Sequence, residues 1–171
     1  MALRLRPAPG SATVRRHALV DSPIGPLALV EEDGALAALS VEGAREGPVP
    51  GSFGVRDDDV LPHLREQLGE YFAGRLREFD ADVVLHGTPF QVRVWHALAQ
   101  IPYGTTSTYG QLARTIGSPK AAQAVGSANG RNPVSLFVPC HRIIGANGRL
   151  TGYAGGMARK EYLLRLEGAL L

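Results

Sequence analysis

The sequence predicts an α+β fold: a small α/β unit followed by a mostly helical unit with a helix-turn-helix. Two patterns and a charge switch carry that prediction. Short apolar runs separated by turn residues fill residues 14–41. Apolar residues at helical spacing, framed by caps and glycine stops, fill much of 88–129. Residues 1–87 hold nine Lys/Arg against fourteen Asp/Glu, a balance of −5; residues 88–171 hold nine against Glu161 and Glu167 alone, a balance of +7.

Taken in order, residues 14–19 and 27–31 read as strands around the turn Asp21-Ser22-Pro23-Ile24-Gly25-Pro26. Residues 35–41 form a third strand after Asp33-Gly34, a strong hairpin signal. Residues 42–58, rich in Gly, Pro and acids, read as a loop. Leu61, Leu64, Leu68 and Tyr71/Phe72 recur at steps of three and four and predict a helix over 60–72, with a further strand over 77–84. His86-Gly87-Thr88 is the expected linker, placing a supporting domain at 1–87 and a second domain at 88–171.

In that second domain Thr88 can cap a helix whose first residue is Pro89, with Phe90, Val94, Ala97/Leu98 and Ile101 as its apolar stripe. Phe90 and Trp95 are expected in the core. A helix over 108–116 stops at Gly117, and Ser118-Pro119 repeats the cap-plus-proline start for a third helix over 119–129. Two helices across so tight a turn make a helix-turn-helix. The third helix is built of small residues: Ala121, Ala122, Ala124, Gly126, Ser127 and Ala128. Such a helix can pack closely on a neighbour, or it can enter a narrow groove such as the minor groove of DNA, about 6 Å wide. Lys120, Arg114 and Arg131 weight the second reading. The basic half fits a polyanion partner, through release of condensed counterions, and equally fits a solvated face.

Composition is that of a soluble globular chain, with no apolar run long enough for a membrane span and no signal-peptide core near the N-terminus. A single cysteine and no disulfide framework fit a reducing, cytoplasmic setting. His17, His63, His86 and His96 show no metal-ligand spacing, and neither a metal nor another cofactor is expected.

The chemistry centres on Pro139-Cys140-His141-Arg142-Ile143. A lone thiol acts as a nucleophile once it becomes a thiolate, and the adjacent imidazole is a ready base. Residues 136–138 read as a short buried strand that delivers Cys140 to the end of a core element. A cysteine hydrolase would place its histidine far from the cysteine in sequence, and a plain transcription factor would leave the thiol without a purpose.

The Pro-Cys-His-Arg-Ile string closely resembles the active-site signature of the O6-alkylguanine-DNA alkyltransferase family. Asn132-Pro133, Thr108-Tyr109-Gly110-Gln111-Leu112-Ala113, Gly152-Tyr153-Ala154-Gly155-Gly156, Lys160-Glu161 and Leu163-Leu164 with Glu167 resemble it too. The likeness is strong over 88–171 and weaker at Ser22-Pro23-Ile24-Gly25-Pro26-Leu27. It implies a ribonuclease-H-like α/β N-terminal domain and a helical C-terminal domain with a winged helix-turn-helix-like DNA-binding unit. The implied activity is direct repair of O6-alkylguanine, with O4-alkylthymine left open. The damaged base is flipped out of duplex DNA, and its alkyl group passes irreversibly to Cys140 in a single turnover.

By the same resemblance His141 is the base, through a water, and Glu167 orients it. Asn132 braces the turn before the cysteine, and Tyr109 assists the departing guanine. Ser135, Val138, Tyr153 and Ala154 line the base pocket. Lys120, Ala122, Gln123, Ala124, Gly126, Ser127, Arg131 and Arg114 face the DNA. Gln123 stands where the family usually has the arginine that fills the gap left by the flipped base. The Cys140 thiolate is expected to be favoured by His141 and by the positive field of the basic half. No partner besides damaged duplex DNA is indicated; a monomer is expected, with cooperative binding along DNA left open.

Overall fold

The chain folds around a mixed sheet of six strands, described here from a computed structural model covering residues 3–10, 14–42, 50–153 and 155–170. The strands are β1 (Leu3–Pro7), β2 (Arg15–Val20), β3 (Leu27–Glu32), β4 (Ala35–Val41), β5 (Val55–Arg56) and β6 (Ala81–Leu85), in the order β1-β6-β4-β3-β2-β5. The hairpin of β3 and β4 is its centre. Asp33 (φ 51°) and Gly34 (φ 81°) both take the left-handed backbone that a two-residue hairpin turn needs. Both strands are buried along almost their whole length, as their near-continuous apolar sequences require.

Two elements of the sheet depart from the sequence expectation. β1 is a full strand that pairs in parallel with β6, Leu3 opposite Ala81 through Pro7 opposite Leu85. β6 starts at Ala81, so residues 77–80 of the expected strand are a connection instead. Within the expected loop over 42–58, residues 43–49 lie outside the described residues; a 3-10 turn (Pro50–Phe53) and β5 follow, with β5 adding in parallel to β2. Helix α1 (Pro62–Phe72) buries Leu64, Leu68 and Tyr71 in the core, the stripe its spacing predicts.

The second domain contains α2 (Pro89–Leu98), β7 (Ser107–Thr108), α3 (Tyr109–Thr115), α4 (Ala122–Gly130), β8 (Ile143–Ile144) and α5 (Met157–Leu166). Thr88 and Thr108 each form a reciprocal capping box, with Gln91 and Gln111. Trp95 is buried and donates its indole N–H to the Ala128 carbonyl at 2.8 Å, which locks α2 to α4. Phe90 is only partly buried, at the edge of that core. Gly87 passes so close to Trp95 that a Cβ there would lie 2.5 Å from the ring, so the linker holds a glycine.

Two further expectations are corrected. Ser118 does not cap the third helix. Its carbonyl closes a turn with the Ala121 amide, and α4 begins at Ala122 with no side-chain cap. Residues 136–138 are not a strand: Leu136 takes a left-handed φ of 72°, and the segment turns tightly, with the Val138 amide bonding the Val134 carbonyl. An apolar run signals burial but not backbone conformation, and here the ladder partner is missing. The segment's one strand-like contact is the bridge from Val134 to Leu39 of β4, beside the Leu39 amide donating to the Pro133 carbonyl at 2.9 Å. That bridge fastens the segment leading to Cys140 onto the N-terminal sheet. Apolar side chains of both domains form one continuous buried cluster. Among the described residues, no helix is long and apolar enough to cross a membrane.

Candidate active site

Cys140, His141 and Arg142 form a single 3-10 turn, buried throughout, between the tight turn over 136–138 and β8. β8 pairs in parallel with β7, Ser107 opposite Ile143, so the turn is fixed directly to the residue pair that caps α3. Asn132 holds the approach: its Nδ2 donates to the Val138 carbonyl at 2.7 Å, and its Oδ1 accepts from the Val134 amide at 3.0 Å. Both polar ends are used, so the side chain sets the curvature of the segment before the cysteine.

Behind the cysteine lies a buried relay. His141 Nε2 is 2.9 Å from Glu167 Oε2. A carboxylate oxygen accepts, so Nε2 carries the proton and Nδ1 presents a lone pair. Nδ1 is buried with no hydrogen-bond partner among the described residues. Glu167 follows α5, where Gly168 (φ 78°) ends the helix. Arg142 grips Glu167 with Nε on Oε1 at 2.8 Å and Nη2 on Oε2 at 2.9 Å, and its Nη1 donates to the Ile101 carbonyl at 2.6 Å. Tyr71 of α1 adds its hydroxyl to Oε2 at 2.6 Å.

The electrostatics of the resting site differ from the sequence expectation of a thiolate favoured by His141. Burial pushes the Cys140 thiol above its ordinary value. The neighbouring Asn132 and Ser135 side chains and the charge on Lys160 pull the other way without reversing it. Burial likewise pushes His141 down, against the support of Glu167, so the imidazole is neutral. Burial alone would raise Glu167, but donation from His141 and Arg142 outweighs it and holds the carboxyl at about 2. The resting pair is therefore neutral thiol and neutral imidazole, with the developing positive charge prepared for by an ionised Glu167. Lys160 is buried beneath the site, donates to the carbonyls of Ile143 and of Thr151 (2.6 Å for the latter), and is lowered by burial to about 8.

Of the residues proposed from sequence, the structure gathers Cys140, His141, Glu167, Asn132, Ser135 and Val138 around this turn. Tyr153 is buried beside them, close enough to Cys140 and Ser135 for both to influence its ionisation, with burial pushing its phenol up. Tyr109 joins through Thr151, whose hydroxyl lies 3.2 Å from its own. Ala154 lies outside the described residues. Arg114, Lys120, Gln123, Ala124, Ser127 and Arg131 are exposed, while Ala122 and Gly126 are half-buried on the same short helix. Gly126 lies under the Tyr109 ring, where a Cβ would sit 3.6 Å from it.

Sequence reasoning missed Tyr71 and the role of Arg142. Tyr71 read as one more apolar position on a helical stripe. Arg142 stood inside the motif, and nothing local distinguished it as the buried counter-charge, since Arg159, Lys160 and Arg165 all lie nearer Glu167 in sequence.

A thiol at the front of a carboxylate–imidazole relay, set behind a helix-turn-helix, defines a group-transfer protein whose nucleophile is served by a nucleic-acid-docking unit. Comparison with known proteins narrows this. Residues 89–169 match the model of the 6-O-methylguanine DNA methyltransferase DNA binding domain, and residues 16–85 match that of its ribonuclease-like domain. The chain is 49% identical over 154 residues to the methylated-DNA–protein-cysteine methyltransferase of Methanosarcina acetivorans, covering 90% of this chain and 98% of that one. It is 51% identical over 155 residues to the Mycobacterium tuberculosis protein of the same name, covering 86% and 89%. The crystal structure of Mycobacterium tuberculosis OGT in complex with DNA superposes with a TM-score of 0.84 at 47% identity, covering 90% of this chain and 93% of that one. The chain belongs to the O6-alkylguanine-DNA alkyltransferase family.

Proposed function

We propose that this protein repairs O6-alkylguanine in duplex DNA by irreversible transfer of the alkyl group to Cys140. The observation that carries this reading is the His141 ring: Nε2–H is committed to Glu167, and Nδ1 is a buried base, unpartnered among the described residues, one residue from the thiol. The Cys140 proton passes to Nδ1, through a bridging water by family analogy, and the thiolate attacks the alkyl carbon. The S–C bond forms as the C–O6 bond breaks, and the electron pair goes to the guanine, which Tyr109 relieves by donating a hydrogen bond or proton. Ionised Glu167 stabilises the imidazolium during this step. No group in the relay regenerates the thiol, so each chain acts once.

The target carbon lies inside a base stack, so the nucleotide must leave it. Ser135, Val138, Tyr153 and Ala154 serve as the pocket. The slim helix α4 enters the minor groove with Ala122, Ala124, Gly126 and Ser127, and Gln123 fills the gap. Arg114, Lys120 and Arg131 hold phosphates. The first amides of α4, left uncapped, add donors for a phosphate at its N-terminus. The domain boundary falls at 87/88, and the lone thiol suits the reducing cytoplasm.

Intact mass after incubation with a duplex carrying one O6-methylguanine tests the reading. A gain of one methylene mass, absent in Cys140→Ser, is expected; lesion binding without any gain would contradict it.

A further inference from the structure

We propose that Tyr71, on helix α1 of the N-terminal domain, is a positioning residue for alkyl transfer: its hydroxyl fixes the Glu167 oxygen that supports His141. The inference rests on the functional reading above.

Tyr71 O–H donates to Glu167 Oε2 at 2.6 Å, and His141 Nε2 reaches that same oxygen at 2.9 Å. The contact joins residues 96 apart in sequence, across the two domains. Tyr71 is 1% exposed. Its ring is clamped by Phe72 and Phe79 of its own domain and by Tyr103 of the other, with centroids at 5.2, 5.1 and 6.3 Å, so aromatic packing decides where the hydroxyl sits. A phenylalanine would satisfy that packing equally well. A hydroxyl buried this deeply is costly unless an acceptor meets it, and the Glu167 carboxylate does. Burial and the Glu167 charge both push the Tyr71 phenol far above its usual range, so it stays a donor throughout.

The other groups facing Glu167 and His141 are Arg142 and Cys140 from the 3-10 turn, Lys160 from α5, Tyr153, and Tyr103, whose ring the guanidiniums of Arg142 and Arg77 both approach. Arg142 already neutralises the carboxylate. Tyr71 therefore acts by sharing Oε2: its donation weakens what Oε2 can offer to His141 and stops the carboxylate from rotating. As Cys140 passes its proton to His141 Nδ1, Nε2–H remains on Oε2 and Tyr71 keeps its own proton.

The test is Tyr71→Phe in the full chain. With the competing donor gone, Oε2 binds the imidazolium more tightly. The His141 titration followed by NMR, and the acid limb of the single-turnover rate, should both move to higher pH by about half a unit or more. The plateau rate should fall about threefold to tenfold as the carboxylate gains freedom. Replacing Tyr71 with 3-fluorotyrosine keeps the ring and strengthens the donor, and should move both readouts to lower pH. Leu29→Ala, a core truncation in β3 that leaves the neighbours of the Tyr71 ring intact, should lower the melting temperature with the acid limb in place. An unmoved His141 titration in both Tyr71 variants would overturn the proposal, whatever the rate does. Wild-type protein that takes up no methyl would instead overturn the functional reading, and the His141 titration in free protein would still decide the role of Tyr71.

Discussion

The basic side chains of the two domains are used in opposite ways. In the N-terminal domain Arg4, Arg15, Arg16, Arg56 and Arg75 each face a carboxylate: Asp80 and Asp82, Glu32, Glu31 and Asp57, Asp58, and Glu70. In the C-terminal domain Arg114, Lys120 and Arg131 are exposed and in no ion pair among the described residues. The first domain pairs these cations on its own acidic surface, and the second leaves exposed cations around α3 and α4. The buried relay reverses the pattern. Its acid, Glu167, is the last acid in the chain, and it draws His141 and Arg142 from its own domain and Tyr71 from the other. Surface charge thus separates the domains, and buried charge joins them.

The joint is where the largest effect lies. Glu167→Gln leaves Arg142 buried without its counter-charge, and a broken buried pair costs about 3–5 kcal/mol. It also deprives His141 of its orienter. Urea denaturation should show that loss, and single-turnover transfer should fall at least about a hundredfold. Stability retained in full would show that the relay does not hold the domains together.

Acid probes the same joint more gently. The unfolded chain protonates His141 near pH 6.5, while the folded chain keeps it neutral. Unfolding therefore takes up a proton, and stability falls as pH drops below that value. Glu167 adds to the loss between 4.5, where an unfolded glutamate titrates, and about 2. Urea midpoints across the acid range should follow this course, with the lower part missing in Glu167→Gln.

The surface contrast is sharpened by salt. Arg114→Ala, Lys120→Ala and Arg131→Ala together should reduce the slope of log affinity against log salt by about 2–3. Arg4→Ala with Arg56→Ala, taken from pairs on the other domain, should leave that slope unchanged. The smallest effect is expected at Gln123→Arg, a several-fold tightening on duplex DNA or a matching gain in rate. No change in either would show that Gln123 does not enter the stack.

Much of this was legible in sequence because it is local. Asp33-Gly34 dictates its hairpin, Thr88 and Thr108 dictate their caps, and the thiol and imidazole are neighbours in the chain. What was hidden depends on partners far away. β1 is a strand because β6 lies beside it, almost eighty residues on. Residues 136–138 turn because Asn132 takes the Val138 carbonyl and β4 takes Val134. Ser118 looked like a cap because Pro119 follows it, yet its carbonyl closes a turn one step earlier. Tyr71 could not be read as polar, since its place on the helical stripe with Leu64 and Leu68 says core and only its hydroxyl meets Glu167. The resting thiol is also a property of depth: adjacency of Cys140 and His141 predicts a thiolate, and burial withholds it until a substrate arrives.

The central claim is that this relay serves one irreversible transfer. Titrating the protein with excess duplex carrying O6-methylguanine, and counting restored guanines, tests it most directly. The account predicts a halt at one guanine per chain, with the methyl on the Cys140 peptide and none restored by Cys140→Ser. Continued restoration beyond one per chain, or a methyl found elsewhere, would contradict it.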